Sequence, residues 1–466
     1  MKRETKLIKN TGIIGLGMLC TKGVSFLLLP LYTSLLSTSD YGTVDFVFTL
    51  VSLIAYTLTL QFEQGVFRYL IDCRDNKEKQ KKYITTTLLF IAFITAVGVL
   101  ITVIVCASVS YGYTLYLVFN VIAVVFSSII CQIARGLDKT TIYTIGSFIS
   151  ASSQIVFNVV FIVGLKWNIG GMLTAFILGN LLCISFVAYK CRLISYFSIK
   201  SFDKTILKEL LKYSLPLVPN TLCWWLINCS DRFIIVRFLG TSANGIYAIA
   251  NKFPTVFSAF TRVYQMSWAE NAAESSNAED RDNYYSKIMN QSICFIIYMC
   301  AGGLALLPFI FKYLINSNYS ESYYNILILL VAGVFNCWSN LYGSLFGALK
   351  HTKTIAVTTV FAAIVNVGLN LLFINKIGLY AASFSTLAAY IIVTAIRHFE
   401  IIKKAKIKYR AGDLLLAFAT MGVAAISYCA GNVPVSIVVA AAVTVIILIK
   451  NKNLIIPIIN KIKEKI

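Results

Sequence analysis

Asn220, Trp224, Asn228 and Asp231 recur at helical spacing inside an otherwise apolar run, and Arg232 follows them. At 100° per residue the first four share an arc of about 80°, with Arg232 just beside it. Lys252, Thr255, Ala259 and Arg262 share a second arc of about 80° in the next run. Thr57, Gln61, Gln64 and Arg68 share about 60°, and Glu63 points well away from Arg68. Lys22 lies mid-run near Ser25. Ionisable groups inside apolar segments are costly unless they face a cavity or a partner. Six cations (Lys22, Arg68, Arg232, Arg237, Lys252 and Arg262) stand against Asp45, Glu63 and Asp231. Such a set attracts an anion, and arginine suits bidentate phosphate contacts. Blander readings stand beside this one. Arg237, near the end of its run, snorkels to the interface, and Arg68 either snorkels or lines a cavity. For Lys22 the question is equally open. For Arg232, Lys252 and Arg262 a local ion pair is the rival. Asp231 points about 100° away from Arg232, so it either pairs with a cation on another helix or titrates.

The elements carrying these residues are long. Fourteen apolar runs meet the requirement of about 20 residues for a spanning helix: 10–36, 44–70, 83–109, 114–135, 141–164, 170–189, 213–239, 245–269, 284–311, 321–349, 354–374, 379–399, 413–431 and 433–450. They do not alternate with period two, which excludes strands. Of the 466 residues, 58% are hydrophobic and only 13% charged, about half the soluble norm of roughly 25%. Mean hydropathy is +0.77. A soluble surface needs more charge than this. The chain therefore reads as an all-α polytopic membrane protein, and soluble enzyme, disordered hub and secreted disulfide scaffold are excluded. Pro216 and Pro219 predict a kink near the start of span 7, and Pro254 a bend in span 8. The apolar run after MKRETKLIKN is too long for a signal peptide and reads as a retained first helix.

The net charge of +21 raises nucleic acid as a partner. The loop map removes it. With the N-terminus inside, inside segments carry 32 of the 41 Lys and Arg, outside loops carry three (Lys166, Lys312 and Lys376), and the six intramembrane cations complete the set. That is a strong positive-inside signal, giving both termini a cytoplasmic position. No loop exceeds about 25 residues and no phosphate-binding G-x-x-x-x-G-K-[ST] occurs, so no ATP site is read. The 12 cysteines show no CxxC, and only His351 and His398 are present. The cysteines read as helix-packing residues, and neither metal nor cofactor is expected. Aromatics, at 13%, read as interface belt and packing.

Leu36-Ser37-Thr38-Ser39-Asp40-Tyr41-Gly42 closes the first hairpin, and Leu239-Gly240-Thr241-Ser242-Ala243-Asn244-Gly245 closes the hairpin of spans 7 and 8. Leu, Thr, Ser and Gly match in register at an offset of 203. Each turn follows an inside-to-outside helix, so the two halves run parallel, as in transporters built from two bundles.

Pro30-Leu31-Tyr32-Thr33 through Ser39-Asp40-Tyr41-Gly42 resembles the flippases that move lipid-linked O-antigen and capsule repeat units, the Wzx-type members of the multidrug/oligosaccharidyl-lipid/polysaccharide exporter superfamily. Ser214-Leu215-Pro216-Leu217-Val218-Pro219-Asn220, Trp224-Trp225, Ser230-Asp231-Arg232 and Gly245-Ile246-Tyr247 with Lys252 and Pro254 resemble the opening of that family's second half. The resemblance is strongest over 1–85 and 205–270. It implies six-helix bundles over 1–200 and 201–400, with two extra helices and a basic tail over 401–466. It implies alternating access around a cationic cavity. It implies an undecaprenyl-diphosphate-linked oligosaccharide moved from the inner to the outer leaflet of a bacterial plasma membrane. Lys22, Arg68, Arg232, Lys252, Arg262, Asn220, Trp224 and Asn228 are then the candidate substrate contacts, and Asp231 and Glu63 the candidate coupling sites. The expected partners are the lipid-linked substrate, membrane lipids and the polysaccharide polymerase machinery. A lipid II flippase and an ion-coupled drug antiporter are the nearest rivals. The drug antiporter favours acidic residues, against the excess of cations here. A membrane-embedded polymerase, which is an enzyme, needs a larger external loop than this chain offers.

Overall fold

The computed structural model describes residues 26, 28–349 and 351–450. Lys22, most of the expected first span and the tail 451–466 lie outside the described residues. Among the described residues there is no strand, and 12 helical elements are long and apolar enough to cross a membrane. One of these, Lys204–Ala259, encloses the expected span 7 and the start of span 8. The all-α polytopic reading therefore holds. The chain divides into two compact units, Met1–Ala248 and Ile249–Ile466.

In the first unit, α1 (Leu29–Leu35) leads into α2 (Thr38–Thr59), α3 (Phe62–Asp72), α4 (Lys77–Ser108), α5 (Thr114–Gly136), α6 (Thr140–Asn158), α7 (Asn168–Cys191) and α8 (Lys204–Ser214). Helix α5 packs on α2, α3 and α7, and α6 packs on α7. Val47, Val125, Ile129 and Ile133 are fully buried within this unit. Helix α9 (Val218–Glu274) begins here and continues into the second unit. There α10 (Arg281–Leu314), α11 (Ser322–Ala348), α12 (Thr352–Ile377), α13 (Leu379–Ile402), α14 (Ala411–Ala430) and α15 (Val433–Lys450) follow. Helix α13 packs on α11 and α12, and α14 and α15 both lie against α10.

Three local expectations can be set against the structure. The run 44–70 is not one helix: Leu60 (φ 46°) and Gln61 (φ 61°) take left-handed backbone and separate α2 from α3. That conformation is unfavourable without glycine and is found where the surroundings enforce it. The shared arc of Thr57, Gln61, Gln64 and Arg68 assumed an unbroken helix, so it does not exist. Second, Pro216 lies in a 3₁₀ turn (Leu215–Leu217) and Pro219 in the first turn of α9. The backbone stays right-handed helical at Ser214, Leu215 and Val218, so the prolines interrupt the α-helical hydrogen bonding within one continuous helical path. Third, the hairpin turns are shorter than expected. Ser37 caps α2 by accepting from the Asp40 N–H, so helix begins at Thr38. In α9 the backbone leaves helical geometry only at Gly240 (φ 88°, ψ 176°), which glycine alone adopts readily. Pro254 sits within helical backbone.

Candidate functional site

The repeated Thr-Ser-x-x-Gly segments meet. Thr38 to Gly42 is the first turn of α2, and Thr241 to Gly245 the first turn after Gly240. Thr38 Oγ1 and Ser242 Oγ lie 2.7 Å apart, and Ser39 Oγ and Thr241 Oγ1 2.9 Å. A Cβ on Gly42 would strike the Thr241 carbonyl, and one on Gly245 would strike the Thr38 carbonyl. The absence of side chain at these two positions lets the backbones touch, as small-x-x-x-small pairs do between membrane helices. Asn244 Nδ2 donates to the Gly42 carbonyl at 2.8 Å and to Asp45 Oδ2 at 3.4 Å.

Beneath this contact lies the charged layer. Arg232 Nε donates to Asp45 Oδ2 at 2.9 Å, with side-chain exposures of 14% and 19%. Another guanidinium N–H donates to the Asn228 carbonyl at 2.8 Å. The guanidinium also lies 5.9 Å from the Tyr247 ring centroid. The Tyr247 hydroxyl in turn donates to Asp231 Oδ2 at 2.8 Å. Trp225 Nε1 donates to Ser52 Oγ at 2.9 Å. Two hairpins far apart in sequence are thus joined by glycine contact, hydroxyl pairs, an amide bridge and an ion pair. These contacts form a latch between the two turns.

The sequence-derived candidates fall as follows. Arg232 and Asp231 belong to the latch. Asn228 and Asn220 are exposed, and Trp224 is half-buried beside them on the same face of α9. Arg262 is exposed and Lys252 half-buried. Arg237 is exposed, against the Phe238 ring. Arg68 is exposed and paired with Asp72 one turn on. Glu63 is 8% exposed at the left-handed break. Its Oε1 accepts from Gln61 Nε2 at 3.2 Å, and its Oε2 has no hydrogen bond of ordinary geometry.

Sequence reasoning missed Asp45 as the partner of Arg232, and also Asn244 and Tyr247. Their shared position in the two repeated turns was the available signal. It also counted Arg397 among loop cations. Arg397 is 1% exposed, within α13. Its Nε donates to Thr358 Oγ1 at 3.0 Å, one terminal nitrogen to the Ser339 carbonyl at 2.9 Å, and the other to Thr359 Oγ1 at 2.9 Å. It ties α11, α12 and α13 together through neutral oxygens. Among the described residues no group of three or more His, Cys, Asp and Glu could hold a metal.

Long apolar helices, a helix-breaking glycine between two spans, and buried charges at repeat-related turns define an all-α polytopic membrane fold. Solved structures share it. An inward-facing multidrug resistance MATE family transporter of the MOP superfamily matches with TM-score 0.62 and 16% identity, over 82% of this chain and 94% of that one. The lipid II flippase MurJ in an inward closed conformation matches with TM-score 0.69 and 14% identity, over 96% and 100%. A MOP superfamily transporter from Pyrococcus furiosus, described as having a binding pocket of reverse polarity, matches with TM-score 0.54 and 16% identity, over 84% and 95%. Among curated proteins none matches. Residues 7–268 match the family of polysaccharide biosynthesis proteins, and the chain belongs to that family. The match spans the first hairpin and the opening of the second half, where the motifs had indicated it.

Proposed function

We propose that the protein is a flippase that moves an undecaprenyl-diphosphate-linked oligosaccharide repeat unit from the inner to the outer leaflet of a bacterial plasma membrane, for capsule, O-antigen or exopolysaccharide synthesis. Membership of the polysaccharide biosynthesis family carries this reading. The positive-inside charge split supports cytoplasmic termini. We divide the chain into bundles over 1–200 and 201–400, with an added pair of helices and a basic tail over 401–466. Carrying a diphosphate through hydrocarbon requires compensating positive charge. Lys22, Arg68, Arg232, Lys252 and Arg262 supply it, and Asn220, Trp224 and Asn228 meet the glycan. Arg232 has a double role in this scheme. In the latched state Asp45 holds it; when the hairpins part, its guanidinium is released to the phosphate. Alternating access then consists of making and breaking the latch around the bound lipid. Asp231 and Glu63 are the coupling sites for an ion gradient, and the polymerase machinery takes the product.

The test follows a labelled undecaprenyl-diphosphate glycan in proteoliposomes, scored by exposure to an enzyme added outside. Wild type is run beside Arg232→Ala, Lys252→Ala and Arg262→Ala. Translocation by the wild type, lost in folded variants, is the expected result. No translocation of several lipid-linked glycans, with ion gradients applied, overturns the reading. Translocation of lipid II alone assigns the protein to peptidoglycan instead.

A further inference from the structure

The second unit holds a polar cavity of about 620 Å³ between α10 and the segment entering α14, bounded by the end of α15. How the chain builds it is visible residue by residue. The backbone N–H groups of Lys406, Lys408 and Arg410 donate to Asp282 Oδ2 at 3.2 Å, Ser286 Oγ at 2.9 Å and Asn290 Oδ1 at 3.1 Å. Two residues of extended chain advance roughly 6.6 Å. Four residues of helix advance about 6 Å. The two periods match, so alternate N–H groups meet successive turns of one face of α10. Burial alternates accordingly. Ala405 and Ile407 are buried, while Lys406, Lys408 and Arg410 are exposed. The register therefore fixes a row of cations along the cavity mouth.

Lys287 from α10 and Lys450 from the end of α15 also line the cavity, with Lys408 and Arg410. Against these four cations stands one carboxylate, Asp413, which accepts from Asn290 Nδ2 at 3.3 Å and meets Lys450 Nζ at 3.8 Å. Lys287, Lys408 and Arg410 form no ion pair among the described residues. The floor is neutral and polar to weakly polar: Asn290, Cys294 and Tyr298. Outside the mouth, Leu415 (70% exposed), Leu448 (51%) and Ile449 (63%) flank Asp413 and Lys450 with apolar surface.

We infer that this cavity binds the phosphate of an anionic membrane lipid, with the acyl chains lying against the apolar flank of α14 and α15. The volume lies within the range of small-molecule sites, about 300–1,000 Å³. Several cations with little acidic compensation select a phosphate, and Arg410 offers it a planar fork. Basic pockets between membrane helices on the cytoplasmic side are suited to such headgroups. The positive-inside charge split puts this end in the inner leaflet. The apolar flank separates a lipid from a soluble phosphate, which has no use for it. Evenly scattered loop cations would suffice for topology and would not require the register that builds this cavity. The site is remote in sequence from the latch, and its occupancy does not depend on what the protein transports.

The test uses the full-length protein purified in neutral detergent. Phosphatidylglycerol, phosphatidylcholine or inorganic phosphate is added, with retained lipid read by native mass spectrometry and stability by thermal melting. Phosphatidylglycerol should be retained in preference to phosphatidylcholine and should raise the melting midpoint. Each neutralised cation should weaken retention about fivefold, so Lys408→Gln/Arg410→Gln should weaken it at least tenfold while melting without lipid stays unchanged. Should that variant fold poorly, Lys287→Gln, on an exposed helix face, carries the test. Lys461→Gln/Lys463→Gln, which removes equal charge from the tail, should retain lipid as wild type does. Equal retention in wild type and the cavity variants overturns the inference, as does loss only in the tail variant. Stabilisation by inorganic phosphate matching that of the lipid assigns the cavity to a soluble ligand and overturns the lipid.

Discussion

Arg232 Nε and Asp45 Oδ2 lie 2.9 Å apart, although 187 positions separate the two residues in sequence. Removing one partner of a fully buried pair costs about 3–5 kcal/mol, because the survivor is left uncompensated. Here 14% and 19% of the side chains remain accessible, so we expect Asp45→Asn or Arg232→Gln alone to cost about 2–3 kcal/mol. The double variant should cost less than the sum by at least about 1 kcal/mol. Unfolding in mixed micelles measures all four corners of the cycle. Strict additivity would show that the pair does not hold the hairpins together.

Gly42 and Gly245 test the latch differently, by sterics. A Cβ at Gly42 meets the Thr241 carbonyl and the Gly245 nitrogen, both backbone, so no rotamer change relieves it. Overpacking of this kind costs about 1–3 kcal/mol or more. Gly42→Ala and Gly245→Ala should each lower the melting midpoint, whereas Gly303→Ala, with nothing near its Cβ, should not. Because only the latched state requires the close approach, reporter cysteines at Ser39 or Ser242 should become more reactive toward a membrane-impermeant thiol reagent in the alanine variants. Unchanged reactivity would refute the latch.

Arg397 places a full charge where only hydroxyl and carbonyl oxygens surround it in the described contacts. Its fork reaches three helices at once, and an ammonium cannot reproduce that geometry. Arg397→Lys should therefore destabilise by about 2–4 kcal/mol, nearly as much as Arg397→Ala. Thr358→Val and Thr359→Val should each cost about 1 kcal/mol. Denaturation of the four variants against wild type decides it. A neutral Arg397→Lys would mean that charge alone matters at this site.

The contrast between what was and was not legible has a physical basis. Span positions follow from summed hydropathy over some 20 residues, a signal too large for local detail to mask. The latch residues were visible as a repeat, because Thr38-Ser39 and Gly42 recur as Thr241-Ser242 and Gly245. That the repeats touch each other was not, since contact is a property of the fold. The break at Leu60-Gln61 carries neither glycine nor proline, so tertiary packing imposes it against local preference. Arg397 sits where a helix end and a basic loop look alike in sequence, and only its burial separates them.

Glu63 lies two residues past the left-handed break; it is 8% exposed, one carboxylate oxygen accepts from Gln61, and the other has no hydrogen bond of ordinary geometry among the described residues. A buried, half-satisfied carboxylate destabilises the state that contains it. Glutamine keeps the shape and removes the charge. Glu63→Gln should therefore preserve or raise thermal stability, whereas a purely structural carboxylate would be missed. If the group exchanges a proton or a cation during transport, the same variant should also make translocation indifferent to an imposed ion gradient. Gln61→Leu should shift the gradient dependence without abolishing it, because it removes only the neighbouring amide. Proteoliposome assays with and without a gradient, run beside melting curves, separate these outcomes. A variant that melts lower and still responds to the gradient would return Glu63 to a packing role.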